Sequence, residues 1–509
     1  MTDYIPTIGL EIHAELKTQT KMFCNSKNDP TETKANVNIC PVCLAHPGTL
    51  PVINREAVKH VVRVGVALGG TIADYTEFDR KNYFYPDLPK GYQISQYEFP
   101  LVVGGALRGV SITRVHLEED TASSMHGSTP FDKAQDKPLG AGDEMTGTTT
   151  IDFNRSGIPL MELVTEPEIH SAKDAGAFAR ELQLLLRDLG ASDANMENGE
   201  MRVEANVSVA KAEGQTFLPS GRSDLPASLG TKVEIKNLNS FRAMERAVAY
   251  EIKRQTALLE RGEAIAQETR GWDEQKQSTF PQRLKEGSAD YRYFPDPDLP
   301  SLKLSEMTEF KPGSVQTGLP ELPWQRRERY IQMGIKKDDA EMFVRARRIG
   351  EFFEEAIRGL TEGSREIQLT ANYIANDLIN IIRDTAIRDT ELETEIPIRA
   401  KHFRAIIAMV AASEISSRSA KDLITACVDS DVDPREYAAK HRLFQTSSSA
   451  SDLDGVIAAV LEQNPSVVAD YRAGKASALE YLVGQGMKAL RGAVEPPALR
   501  EAIRAKIER

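Results

Sequence analysis

The sequence predicts an α+β protein in three parts: an antiparallel-sheet cradle domain with covering helices over residues 1–295, a linker and all-α helical domain over 296–408, and a small all-α tail over 409–509. Three observations carry that reading. Long segments in the first part alternate apolar and polar residues with the period of a strand, two stretches between them carry helical stripes, and beyond Pro300 only the helical period remains. At 509 residues the chain exceeds what one core can serve, so several domains are expected.

The clearest strand is Glu200 to Val209. Met201, Val203, Ala205, Val207 and Val209 share one face, and Arg202, Glu204, Asn206 and Ser208 share the other. Thr7 to Leu16 repeats the pattern, with Ile8, Leu10, Ile12, Ala14 and Leu16 opposite Gly9, Glu11, His13 and Glu15. Lys232 to Lys236 sets Val233 and Ile235 against Lys232, Glu234 and Lys236, and Thr149 to Asn154 sets Ile151 and Phe153 against Asp152 and Asn154. If the four join one antiparallel sheet, its polar face gathers acids, an imidazole, amides and lysines about 5 Å apart, close enough to share a metal ion or a phosphate. The competing reading is a sheet face that only meets water.

Two helices should cover the apolar face. Ser171 to Gly190 places Ala175, Phe178, Ala179, Leu182, Leu185, Leu186 and Leu189 in a stripe, with Ser171 as N-cap, Asp174 in capping-box position and Gly190 as terminator. Ser240 to Gly262 follows the same logic through Phe241, Met244, Val248, Ile252 and Leu259. Residues 123–147 and 211–230 show no period and read as loops. Asp79 to Gln96 and Asp290 to Pro300 are rich in tyrosine, proline and cations, and read either as rigid corners or as a rim offering cations to anions and rings to a base. Prolines 312, 320 and 323 mark the linker, and Lys475, Lys488, Arg491, Arg500, Arg504 and Lys506 make the end of the chain locally basic, with RNA binding and solvated helix faces as the competing readings.

Composition narrows the function. Hydrophobic content of 41% and charged content of 27% are those of a globular protein, and no apolar run is long enough to span a bilayer. The opening Met1-Thr-Asp-Tyr-Ile-Pro has neither part of a signal peptide, so a cytoplasmic location is expected. A net charge of −12 excludes nucleic-acid binding by bulk positive field and leaves only regional RNA contact. Cys24, Cys40 and Cys43 have the spacing of a zinc knuckle; Ser26 stands where a fourth thiol would complete it, His46 is the nearby substitute, and three reduced thiols are the alternative. Cys427 lies apart in a helical region.

Several strings carry a family resemblance: Ile8-Gly-Leu-Glu-Ile-His13, Asp79-Arg-Lys-Asn-Tyr-Phe-Tyr-Pro-Asp87, His116-Leu-Glu-Glu-Asp120, Asp152-Phe-Asn-Arg-Ser-Gly-Ile-Pro-Leu160, Gly230 to Phe241, Tyr293-Phe-Pro-Asp-Pro-Asp298 and the terminal Asp470-Tyr-Arg-Ala-Gly-Lys475. They closely resemble the B subunit of the bacterial tRNA-dependent amidotransferases, over nearly the whole chain. The resemblance implies a protein that works with an amidase-type glutaminase and a small third component in a heterotrimer. It also implies ATP-dependent phosphorylation of the side-chain carboxylate of glutamate or aspartate misloaded on tRNA, followed by amidation with ammonia. The 409–509 tail is then expected to bind the tRNA.

For that chemistry the expected catalytic residues are Glu11, His13, Lys81, Glu119, Arg155 and Glu204. Mg²⁺ is expected on Glu11, His13, Glu119 and Glu204, and ATP on Lys81, Asn154, Arg155, Asn206 and Lys236. A structural Zn²⁺ falls to Cys24, Cys40 and Cys43. The family form has a cysteine and an aspartate where Val203 and Glu204 stand here, and no P-loop string occurs. Alternation alone leaves open which of Glu118 and Glu119 faces the metal. Two other classes compete: a tRNA-binding scaffold whose chemistry lies in a partner, and a metal-dependent hydrolase built on Glu11, His13 and the knuckle. Against the hydrolase stands the lack of a nucleophilic Ser or Cys in an activating context.

Overall fold

The computed structural model describes residues 4–126, 149–211, 229–284, 291–385, 396–445, 450–489 and 496–508. The chain divides into two compact units at Pro323/Trp324. The boundary expected at 408/409 falls inside the helix Ala400–Ala411.

The first unit is built on a ten-stranded sheet. Its order is Ser278–Leu284, Glu268–Asp273, Val233–Leu238, Met201–Lys211, Tyr4–Glu15, Pro159–Thr165, Val110–Glu119, Val102–Val103 and Thr71–Ile72, with Ala106–Leu107 paired off Val110–Glu119. All ladders are antiparallel except that joining Val233–Leu238 to Glu268–Asp273. The two strongly alternating segments lie side by side, Glu11 opposite Glu204 and His13 opposite Arg202. Their apolar sets are buried from Ile8 to Leu16 and from Met201 to Val209, as the period of two requires.

Ala172–Asp188 and Phe241–Glu260 pack on each other and on the apolar face. Ser171 caps the first by accepting from Asp174 N while its hydroxyl donates to the Asp174 carboxylate, and Ser240 caps the second through Ala243 N. A third helix, Arg55–Ala67, is capped by Asn54, which accepts from Glu56 N and Ala57 N. Its valine run, Val58, Val61, Val62 and Val64, is fully buried, so packing overrides the strand preference of β-branched side chains.

Thr149–Asp152 departs from the expected arrangement. It pairs with Ser123–His126 in a separate two-stranded sheet, so Asp152 and Asn154 do not reach the polar face of the main one. The loops expected at 123–147 and 211–230 fall mostly outside the described residues. The two tyrosine-rich strings meet: Phe294–Pro295, Asp79–Asn82 and Tyr92–Ser95 form one three-stranded sheet.

The second unit is helical among its described residues. Tyr330, Phe343 and Phe353 form one aromatic core, and the helix Arg365–Tyr373 runs through a π-turn at Ile374–Leu378 into Ile379–Thr385. The last four helices, Ala450–Gln463, Pro465–Arg472, Ala476–Ala489 and Pro496–Ile507, close on Ile457, Leu479, Leu482, Leu499 and Ile503.

Candidate functional site: an acid and imidazole cluster on the polar face

Three neighbouring strands bring His13, Glu162 and His116 into one row, because His13 pairs with Glu162 and Glu162 with His116. The imidazole Nε2 of His13 lies 3.4 Å from Glu162, 3.5 Å from Glu118 and 3.8 Å from Glu11. His116 Nε2 is 3.4 Å from the same Glu162 oxygen, and Arg114 reaches the other at 3.4 Å. Ser95 donates to Glu118 at 3.1 Å. Glu118, Glu162 and His116 are buried, whereas Glu11 keeps about a third of its side chain open to the cleft.

Crowding of charge on a half-buried face shifts these groups strongly. Burial works against the positive charge of His13, but its hydrogen bond to Glu162 and the fields of Glu162, Glu118 and Glu11 raise its pKa to about 9. Burial pushes His116 down to about 4. Burial and the neighbouring Glu162 carboxylate push Glu11 up to about 7. Glu162 itself resists burial because the imidazoles of His116 and His13 and the ammonium of Lys81 hold its carboxyl below the usual range. Burial disfavours the charge of Lys81 in turn, yet Glu118, Tyr293 and Glu162 hold its pKa above the usual lysine value.

The ligand set suits a hard divalent cation. Glu11, His13 and Glu162 form one group whose donor atoms all lie within 4.8 Å of one another, and His116, Glu118 and Glu162 form a second. The carboxylate oxygens are donors for a hard divalent cation that keeps its waters, and the imidazoles stand beside them on a face still reached by solvent. Beside this cluster Glu204 accepts from Lys236 at 2.9 Å, aided by a bulge that sets Lys236 and Asn237 against Glu204 alone, with Asn237 in the left-handed region at φ 63°. Asn206 faces the same side and its buried Oδ1 has no partner among the described residues, as a ligand-facing amide would.

The structure brings Glu11, His13, Lys81, Glu204, Asn206 and Lys236 to one side of the sheet, but Glu119 and Asn154 do not join them. Glu119 points to the other face, where it accepts from Lys90 at 2.7 Å and from Ile94 N at 2.9 Å; strand alternation gives its place to Glu118. Asn154 accepts from Val37 N and Asn38 N and donates to Lys34 O, so its amide is consumed in holding the 34–38 loop. Arg155 sits at the edge of the cluster, donating to Thr121 O at 3.1 Å with its Nε 3.5 Å from Asp120. Glu162 and His116 belong to the site although neither was expected there. The signal for Glu162 was a lone acid in the apolar run Pro159-Leu-Met-Glu-Leu-Val164, a charge that needs partners if buried.

The knuckle has its own geometry. The thiols of Cys24, Cys40 and Cys43 lie within 4.8 Å of one another, with Cys43 Sγ 3.8 Å from both Cys40 Sγ and Ser26 Oγ. A tetrahedron with zinc–sulfur bonds of about 2.3 Å has edges of about 3.8 Å, the separation seen between Cys40 and Cys43. The fully buried Lys21 donates to Phe153 O at 3.0 Å, with its Nζ 3.9 Å from Cys43 Sγ. The hydrogen bond from Cys24 and the ammonium of Lys21 bring the Cys43 thiol down to about 4 against the effect of burial.

A family model described as the GatB/GatE catalytic domain matches residues 6–309, the stretch that carries the sheet and the cluster, and a GatB domain model matches 351–507. The B subunit of the aspartyl/glutamyl-tRNA(Asn/Gln) amidotransferase of Thermomicrobium roseum is 42% identical over 99% of this chain and 99% of its own length. Those of Thermus thermophilus, at 39% over 98% of each chain, and of Crocosphaera subtropica, at 38% over 97% of this chain and 96% of that one, are similar too. The chain belongs to the family of amidotransferase B subunits. No helix among the described residues is long and apolar enough to cross a membrane.

Proposed function

We propose that this chain is the phosphorylating and amidating component of a cytoplasmic tRNA-dependent amidotransferase, acting on glutamyl-tRNA(Gln), aspartyl-tRNA(Asn) or both. The observation that carries the reading is the His13–Glu162–His116 row with Glu11, Glu118 and Lys81 around it. A carboxylate accepts ammonia only after one of its oxygens becomes a better leaving group. Transfer of the ATP γ-phosphoryl group to the side-chain carboxylate releases ADP; ammonia then adds to the acyl carbon, phosphate leaves, and the amide remains.

Such a transfer needs position and charge more than covalent help from protein. Glu11, His13, Glu162 and Glu118 are the residues that would hold Mg²⁺, which when bound supplies positive charge to the transferring phosphoryl group. Lys81 carries its charge beside them and meets the oxygens of the phosphoryl donor. Asn206 and Lys236 face the same cleft and orient the nucleotide or the acceptor. The ammonia comes from an amidase-type glutaminase partner, with a small third component completing a heterotrimer. The knuckle holds a structural zinc through Cys24, Cys40 and Cys43, with the Ser26 hydroxyl 3.8 Å from Cys43 Sγ.

The scaffold alternative, in which this chain only holds tRNA, leaves unexplained why three acids and two imidazoles converge inside one row of strands. The test is the assembled complex given ammonium salt, ATP and glutamyl-tRNA(Gln) or aspartyl-tRNA(Asn). Conversion to the amide, with ADP release that requires the misacylated tRNA, is expected. Conversion without ATP, or ADP release indifferent to the aminoacyl group, would overturn the reading.

A further inference from the structure

The polar face carries a second group of charges next to the acid cluster. Arg202 pairs with His13 across the ladder and so stands immediately beside the row of imidazoles and acids. Its guanidinium donates to Asp120 at 2.7 Å, although Asp120 follows a strand separated from its own by the strands of His13 and Glu162, so the arm crosses the floor of the cleft. Asp120 is almost fully buried, its Oδ1 accepts from Thr121 N, and its Oδ2 also faces Arg155 Nε at 3.5 Å. Arg155 is bound down by its bonds to Thr121 O and Ala122 O. Arg202 is not: its one hydrogen bond among the described residues uses a single N–H, and about a third of the side chain is open.

Charge accounting gives the position a direction. Asp120 Oδ2 lies 2.7 Å from Arg202 and 3.5 Å from Arg155, so two guanidiniums share one carboxylate. The Arg202 fork therefore stays half open beside a face that is otherwise acidic, and a half-open fork with free N–H groups is the form in which proteins bind phosphoryl oxygens.

We infer that Arg202 is a catalytic residue that holds the transferring phosphoryl group beside the His13 row, and that Asp120 is the positioning carboxylate that aims it. This rests on the phosphorylation reading above. Arg202 contributes hydrogen bonds and charge as negative charge spreads over the equatorial oxygens, so its effect falls on the rate of transfer more than on tRNA binding.

The test uses the whole complex with Arg202→Ala, Arg202→Lys and Asp120→Asn, reading ADP release driven by misacylated tRNA. Arg202→Ala should lower kcat by about 10²- to 10³-fold with little change in KM for the tRNA, and added methylguanidinium should restore part of the loss. Arg202→Lys, which keeps the charge and loses the fork, should fall between, and it decides the matter alone if the alanine variant does not assemble. Asp120→Asn should lower kcat by a smaller factor that methylguanidinium does not restore. An assembled Arg202→Ala or Arg202→Lys complex with kcat within about threefold of the parent overturns the inference, as does a loss confined to KM for tRNA. If the parent complex itself releases no ADP in response to misacylated tRNA, the phosphorylation reading fails first.

Discussion

Glu162 and His13 face each other as partners across the central ladder, and the carboxylate that His13 meets at 3.4 Å is the same one His116 approaches from the far side at the same distance. Glu162 is therefore the hinge of the cluster. Glu162→Gln keeps the shape and removes the charge, so ADP release in the complex should drop by about 10²-fold or more while the complex still assembles. Activity close to the parent's would show that the row is a structural ion network.

His13→Ala and Glu204→Gln test the two ends of the face. Neither residue belongs to the apolar set that builds the core, and both side chains remain partly exposed. Both substitutions are expected to abolish phosphorylation and amide formation without loss of soluble complex, which size-exclusion chromatography and the ADP assay read side by side. Disappearance of the complex in both would assign these residues to holding the fold.

Much of this was legible in the sequence because strand alternation sorts side chains without any knowledge of the fold. Ile8 to Leu16 and Met201 to Val209 announced the two central strands and, on their opposite faces, Glu11, His13 and Glu204. Glu162 was hidden for the converse reason. Its strand is buried on both faces, so Leu160, Met161 and Leu163 erase the alternation that would have marked it. Glu118 and Glu119 could not be separated because the choice depends on register, which is set by pairing with Leu160 and Pro159 far along the chain. Asn154 looked like a site residue by string and turned out to serve a loop.

The knuckle predicts a metal content. Protein purified without chelator should carry about one zinc ion per chain, Cys40→Ser should lose it, and Ser26→Cys should slow its extraction by a chelator, since a thiolate replaces a hydroxyl 3.8 Å from Cys43 Sγ. Cys427, buried and pushed up to about 11 by that burial, serves as the internal reference that stays unreactive toward thiol reagents in the folded chain. Metal-free protein in which Cys24, Cys40 and Cys43 all react freely would leave the three as ordinary reduced thiols.

A buried ionic network ties the helix Phe241–Glu260 to the sheet edge, and it concerns stability alone. Glu251, fully buried, accepts from Arg254 at 2.7 Å, from Gln255 at 2.9 Å and from Thr279 at 3.1 Å, and Arg270 bridges Glu268 at 2.7 Å to Thr279 O at 2.9 Å. Removing one member leaves uncompensated charge in a dry place, so Arg270→Ala should cost about 3–5 kcal/mol in denaturant unfolding. A cost below about 1 kcal/mol would mean that water reaches the network and screens it.

The tail tests how tRNA is held. Residues 450–509 contain eight Lys and Arg against eight Asp and Glu, which makes this segment neutral in a chain of net charge −12. Its cations are not bare: Lys475 meets Asp470, Arg500 meets Glu480 and Lys506 meets Asp454, at 2.9 to 3.2 Å, while Arg491 lies outside the described residues. Exposed pairs of this kind are worth roughly 0–1 kcal/mol, so a phosphate can take the place of the acid at little cost. The segment also closes on its own core around Leu482 and Leu499, and removal at residue 446 leaves the helices Ala400–Ala411, Ser417–Asp429 and Pro434–Lys440 intact in sequence. Phosphate contacts position a nucleic acid and weaken steeply with salt, yet contribute little to phosphoryl transfer on the cradle. Deleting 446–509 should therefore raise KM for misacylated tRNA and flatten its salt dependence, with kcat at saturating tRNA and glutaminase activity in the complex nearly unchanged. Equal tRNA binding by the truncated and intact complexes across a salt titration would give the tail another task.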